Sequence, residues 1–257
     1  MLPPNAVFRL GRYDVAVRYR PASPGGRLGG DWYDARLRAD GSAVVVIGDV
    51  AGHGAGAAAG MMRIGNALRG LAVTELPANS LLHYVNRLIC SDECPERVAS
   101  AIVCILVQDQ PALRWAHAGH PPPMLVAGGT ARLLDPPPGL LLGATQTAGY
   151  GLGHQDLATG DVLFLYTDGL VERRGQDIRT GFSALLTAAG GGLGVTAADA
   201  VQAVLGRLGL PPTDDDLCLI AIRVDALSPA KRAARPTGAG TGPGTSPGPA
   251  GRVPRRC

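Results

Sequence analysis

Residues 44–60 read VVVIGDVAGHGAGAAAG, and the fold follows from how that stretch divides. Val44, Val45, Val46 and Ile47 are β-branched and stop at Gly48, which favours a short buried strand over a helix. Asp49 follows at once, where a side chain leaves the sheet and faces a cleft. Gly52, Gly54 and Gly56 let the backbone turn tightly before Ala57 opens a helical pattern. Met61, Ile64, Leu68 and Leu71 then recur at helical spacing, so a helix over about 55–73 packs an apolar stripe onto the sheet.

Working outward, residues 32–38 and 42–47 read as the two strands of a hairpin. Ala39-Asp40-Gly41 is its three-residue loop, with Gly41 in the left-handed position. That loop pairs residues whose numbers sum to 80, which sets Asp31 opposite Asp49. A two-residue loop would pair 31 with 50 and turn the two carboxylates to opposite faces, so the longer loop is adopted. Two carboxylates at one end of a hairpin repel unless a cation lies between them. Asp31, just after Gly29-Gly30, also suits a simple turn cap.

Before the hairpin, residues 1–14 read as an irregular lead with an early Pro-Pro, and 15–20 (VAVRYR) as a strand. After it, Asn79 or Ser80 can cap a second helix whose buried face is Leu81, Leu82, Val85, Leu88 and Ile89. Residues 98–107, nearly all apolar, form a central strand, and 113–117 another. Residues 124–127 and 130–134 flank Gly128-Gly129 as a hairpin. Strands are expected at 150–157, 161–166 and 217–224, and helices at 181–189 and 196–208. Thr196 and Asp199 stand in capping-box positions, with Val201, Val204, Leu205 and Leu208 on one face. Beyond Ser228, Pro, Gly, Ala, Thr and Arg dominate without periodicity, the composition of a disordered tail. The body therefore reads as one α+β domain: antiparallel hairpins in two stacked sheets with helices outside.

The totals narrow the function. Net charge is +3, but residues 229–257 carry six basic side chains and no acid, leaving the body at −3 and unlike a nucleic-acid binder. The only lysine, Lys231, lies in that tail, which excludes a Walker A loop, a kinase phosphate clamp or a pyridoxal Schiff base from the body. Cys104 and Cys218 sit in apolar runs as small buried hydrophobes, and Cys90 and Cys94 lack the second pair a zinc site needs. No leader pattern and no membrane-length apolar run is present, so a cytoplasmic protein without membrane partners is expected. Scarce lysine beside abundant Arg, Ala and Gly points to a GC-rich bacterial genome.

Asp31, Asp49, Asp168 and the Asp214-Asp215-Asp216 cluster all lie at ends of apolar strands. Such a set, with no matching lysines, suits hard divalent cations such as Mg²⁺ or Mn²⁺, which favour oxygen ligands and retain waters. Two such ions can orient and acidify a water for in-line attack on a phosphoryl group.

The motifs GGDWYD (29–34), GDVAGHG (48–54), AGHPPP (118–123), YTDGLVE (166–172) and DDDLCL (214–219) resemble the serial signatures of the SpoIIE-type branch of the PPM metal-dependent Ser/Thr protein phosphatases. The likeness runs from about residue 12 to 225, in order. It implies an α-β-β-α sandwich, two mainly antiparallel sheets flanked by helices, over a domain at 1–228 with the tail at 229–257. It also implies a centre of two divalent cations, Mn²⁺ or Mg²⁺. Asp49 would bridge both ions, the Val50 carbonyl would be a neighbouring ligand, Asp31 would contribute, and Asp168 and Asp215 would hold one ion. The triple Asp leaves one residue of slack between Asp215 and Asp216. His53 is either a general acid toward the leaving oxygen or a loop histidine bound to backbone; His120, in a Pro-rich turn, reads as structural.

The same resemblance implies removal of phosphate from phosphoserine or phosphothreonine, commonly on a STAS-fold anti-sigma-factor antagonist in partner switching. Relatives often carry an N-terminal sensor domain; about 12 residues precede the catalytic body here, so the expectation is either regulation by a separate partner or a stand-alone or trimmed catalytic module. The rival reading is a catalytically weak, phosphatase-like module that sequesters a phosphoprotein, and a small-phosphoester hydrolase is a third.

Overall fold

The computed structural model describes residues 5–21, 29–52, 54–91, 98–173, 175–209 and 216–226. The chain opens with strands β1 (Asn5–Leu10) and β2 (Tyr13–Arg20), followed by the hairpin β3 (Trp32–Leu37) and β4 (Ala43–Val50). Helices α1 (Ala55–Leu71) and α2 (Ala78–Ser91) lead to β5 (Ala99–Val107), β6 (Ala112–Ala118), β7 (Met124–Ala127) and β8 (Thr130–Leu133). Then come β9 (Gly153–Asp156), β10 (Val162–Tyr166), a short 3-10 turn (Asp168–Leu170), α3 (Ile178–Ala189), α4 (Ala197–Leu208) and β11 (Leu217–Val224).

One sheet has the order β1-β2-β11-β10-β7-β8 and the other β3-β4-β5-β6-β9, with neighbours antiparallel throughout. Alternation along single strands shows how the layers stack. In β4, Val45 and Ile47 face the other sheet, where they meet Val15, Leu165 and Ile220, while Val44 and Val46 face Ile64 and Leu68 of α1. In β10, Leu163 and Leu165 belong to the core between the sheets, and Phe164 and Tyr166 to the outer core that also holds Val201 and Val204 of α4. Strands buried on both faces need apolar residues at nearly every position, which is why they read as continuous runs. The result is the expected α-β-β-α sandwich.

The hairpin register is the anticipated one. Trp32 pairs with Gly48 and Leu37 with Ala43, around a loop in which the Arg38 amide donates to Ser42 O (2.8 Å) and Gly41 holds φ 82°. The Val50 amide donates to Gly30 O (3.3 Å), carrying the same register past Asp31 and Asp49. Thr196 and Asp199 form the capping box of α4.

Other expectations are corrected. From Asn5 onward the lead is a strand: β1 pairs with β2 from Asn5↔Arg18 to Leu10↔Tyr13. Its alternation is masked because Val7, on the solvent face at 59% exposure, is as apolar as the inward Phe8. Helix α2 begins at Ala78, with the Ser80 and Leu81 amides both donating to Pro77 O, so neither Asn79 nor Ser80 caps it. Leu88 is exposed and drops out of the buried face, which Ala78 and Asn86 join instead. The strand expected at 150–157 shortens to Gly153–Asp156. Cys104 and Cys218 are buried and unbridged, whereas Cys94 and the tail lie outside the described residues. Among the described residues no helix is long and apolar enough to cross a membrane.

Candidate metal centre

The acidic side chains come from both sheets and meet at one end of the sandwich. Asp31 precedes β3 and Asp49 lies near the end of β4, in one sheet; Asp168 follows β10 and Asp216 precedes β11, in the other. Neighbouring strands β10 and β11 are locked beside the site by Thr167, whose amide donates to Cys218 O (3.1 Å) and whose Oγ1 accepts from the Cys218 amide (2.9 Å). The fully buried Thr167 side chain also hydrogen-bonds Asp31, tying the two sheets together.

Asp31 is the electrostatic focus. Burial pushes its carboxyl well above the usual carboxylate range, and the charges of Asp49, Asp216 and Asp168 push the same way, against the Thr167 hydrogen bond. Asp31 is 4% exposed, and its Oδ2 has no hydrogen-bond partner among the described residues. Asp216, also 4% exposed, accepts from the Tyr19 hydroxyl (3.1 Å), whose own ionisation is pushed up by burial, Asp216 and Asp31. The Cys218 thiol is likewise raised by burial and by Asp31 and Asp216, which removes it as a nucleophile.

Glycines make the close approach possible. A Cβ on Gly30 would stand 2.5 Å from Val50 O and 2.7 Å from Asp49 Oδ1; one on Gly29 would strike the Asp216 carboxylate. The motif's paired glycines thus leave room for carboxylates and a carbonyl to crowd together.

A cleft of about 390 Å³ opens over Asp49 and Asp168, lined also by Ser100, His120, Leu141, Glu172, Ile178 and Phe182. Ser100 lies opposite Asp49 in the β4–β5 ladder, and its Oγ is 2.7 Å from His120 Nδ1. Burial lowers the His120 ring to about 3, so it is neutral near pH 7. Its Nε2 faces the Tyr166 carbonyl without reaching hydrogen-bond geometry. His120 therefore spans the gap between the sheets, from the ladder partner of Asp49 to the strand that delivers Asp168.

Of the residues singled out in the sequence, Asp31, Asp49 and Asp168 are brought together with the Val50 backbone beside them. Asp215 and His53 lie outside the described residues, and the described acid at that corner is Asp216. Sequence reasoning passed over Thr167, Ser100, Tyr19 and Gly30. Ser100 was within reach, since the continued ladder places it across from Asp49. Tyr19 and Thr167 meet the acids only through tertiary pairing.

The donors suit a hard divalent cation: they are all oxygens, one is a buried carboxylate oxygen without a partner, and a Cβ-free backbone leaves space beside Asp49 and Val50. Among the described residues no three acidic, histidine or cysteine side chains could by themselves hold an ion. Backbone carbonyl and water would complete the shell, as is usual for Mg²⁺.

Residues 39–225 match the family model described as stage II sporulation protein E (SpoIIE). The chain is 27% identical over 155 residues to the phosphoserine phosphatase RsbU of Bacillus subtilis, an alignment covering 60% of this chain and 46% of RsbU. It thus spans about half the length of that curated relative. The RsbU and RsbW domains of Rv1364c from Mycobacterium tuberculosis superpose with a TM-score of 0.74 at 29% identity, over 84% of this chain and 61% of that one. RsbX in complex with magnesium shares the fold at a TM-score of 0.65 and 17% identity, over 86% of this chain and 100% of its own.

Proposed function

The chain belongs to the SpoIIE family, and on that premise we propose that it is a metal-dependent phosphatase acting on phosphoserine or phosphothreonine in a protein. The observation that carries this reading is the meeting of Asp31, Asp49 and Asp168, from two sheets, with a partnerless buried carboxylate oxygen on Asp31 and with Asp49 and Asp168 lining an open cleft. Such mutual repulsion is kept in a fold when a cation relieves it.

Asp31, Asp49, the Val50 carbonyl and Asp168, with Asp215 or Asp216, would hold two divalent cations, Mg²⁺ or Mn²⁺. Bound there, the ions supply a water of lowered pKa and positive charge for the phosphoryl oxygens. The chain's own residues provide the frame. Thr167 orients Asp31 by hydrogen bond and fixes β10 against β11. Ser100 and neutral His120 brace the floor between Asp49 and Asp168. No lysine or arginine lines the described cleft, so the substrate's phosphate charge is left to the cations.

The similarity to RsbU supports a partner-switching role, with a phosphorylated STAS-domain anti-sigma-factor antagonist as substrate and a regulatory protein as further partner. The test is phosphate release from such a phosphoprotein with Mn²⁺ or Mg²⁺. Chelation should abolish it, and Asp49→Asn or Asp168→Asn should each lower it by at least about a hundredfold. Tight binding of the phosphoprotein without release would overturn the enzymatic reading in favour of a sequestering module.

A further inference from the structure

We propose that Ser100 and His120 are a pair of positioning residues. His120, as the tautomer with its proton on Nε2, takes a hydrogen bond from the Ser100 hydroxyl and leaves Ser100 Oγ as an acceptor for a water carried by a cation at Asp49. This rests on the metal-dependent reading above and adds a residue pair to that site.

Ser100 is the one hydroxyl-bearing residue in β5, ASAIVCILV. It stands opposite Asp49 in the β4–β5 ladder. Residues opposed in an antiparallel pair share a face, with Cβ atoms about 4.5–5.5 Å apart. That face carries Ile102, Cys104 and Leu106 into the core between the sheets. A serine therefore interrupts an apolar row at the position beside the acid, and both side chains line the cleft.

The imidazole is placed by its own local sequence. Gly119, at φ 63°, turns the chain after β6, and a parallel bridge from Gly119 to Ala101 holds that turn against β5. Pro121 then restricts His120 to an extended backbone. The ring is 4% exposed, with Nδ1 2.7 Å from Ser100 Oγ.

The proton positions follow from the neighbours. A neutral imidazole has one N–H and one nitrogen lone pair. Nε2 faces the Tyr166 carbonyl, which can only accept, so a lone pair there would be repelled and the proton belongs on Nε2. Nδ1 is then the acceptor, and the Ser100 hydroxyl donates its single proton to it. Ser100 Oγ is left with lone pairs alone. Asp49 and Asp168, in the same lining, also present acceptors as carboxylates. The group that fits among them is a donor, and water polarised by a cation is a strong one. The carboxylates would hold the ion, and the Ser100–His120 pair would fix how its water points.

The test uses the full chain. Without metal, ring-nitrogen NMR near pH 7, assigned with His120→Phe, should show His120 protonated on Nε2; a proton on Nδ1 instead would overturn the assignment. Titration calorimetry with Mn²⁺ then compares Ser100→Thr with Ser100→Val, which share a shape and differ in the hydroxyl, each checked for retained thermal unfolding in chelator. Ser100→Val should bind Mn²⁺ about 10–100-fold more weakly than Ser100→Thr. At saturating Mn²⁺ its hydrolysis of phosphopeptide should fall in kcat with KM little changed. His120→Phe should resemble Ser100→Val, and the double variant should be no worse than either, since both act through one hydrogen bond. Equal Mn²⁺ affinity in Ser100→Thr and Ser100→Val, or additive losses in the double variant, would overturn the pair and leave the phosphatase reading standing. The expected affinities with no phosphoprotein hydrolysed would support the pair while the phosphatase reading falls. A wild type that binds no Mn²⁺ would overturn both.

Discussion

Replacing Asp31 by Asn should stabilise the ion-free protein while removing its response to divalent cations. The buried Asp31 carboxylate faces the charges of Asp49, Asp216 and Asp168, and only Thr167 offsets them. Asn keeps an oxygen for Thr167 and places an amide donor where the partnerless Oδ2 now stands. Removing one buried like charge is worth on the order of 1–3 kcal/mol, or about 3–10 °C in the Tm of a domain this size. The pH dependence has a defined sign. The folded-state carboxyl lies above its ordinary value of 3.8, so the folded form binds the proton more tightly and loses stability as pH rises through that window. The advantage of Asp31→Asn should therefore be small near pH 4 and widen toward pH 7. His120 acts in the opposite sense, its ring lowered from 6.5 to about 3, but it is present in both proteins and cancels in the difference. With cation at a hundred times Kd, the wild type should gain about 2.7 kcal/mol, or about 5–10 °C, and the variant little. Calorimetric Tm with chelator and with Mn²⁺, at several pH values, measures both effects. An ion-free Asp31→Asn protein less stable than wild type, or one with the full cation response, would refute the reasoning.

Gly30→Ala should weaken cation binding and lower Tm by about 3–9 °C, an overpacking of about 1–3 kcal/mol, because its methyl would press on Val50 O and Asp49 Oδ1; titration calorimetry with Mn²⁺ checks it. Thr196→Ala breaks the α4 capping box and should remove about 1 kcal/mol with the cation response intact, as read by Tm with and without Mn²⁺. Asn86→Ala leaves the Gly143 amide and the Thr145 carbonyl without their side-chain partner; a loss of about 2–4 kcal/mol in urea unfolding should accompany a raised KM for phosphopeptide.

Short-range chemistry was the part of the molecule that could be read in advance. A glycine at 41 fixed the loop length, the loop fixed the register, and the register set Asp31 against Asp49 before any tertiary contact was known. The α4 capping box and the apolar run of β4 were similarly local. Strand β1 was missed because its exposed Val7 hides the alternation, and the start of α2 because Pro77, not a side-chain cap, begins it. The chemistry of Thr167 and Tyr19 at the acids, and the joint lining of the cleft by Leu141 and Phe182, depend on segments far apart in the chain. No pattern in either segment alone signals them.

The acids stand two on each sheet, and that division links ion occupancy to the architecture. Without cations, the repelling pairs act as a wedge between two layers otherwise glued by the apolar residues they share. Holding the proposed ions, the same side chains would become a clasp. With ions held as proposed, their binding and the seating of one layer on the other would be a single equilibrium.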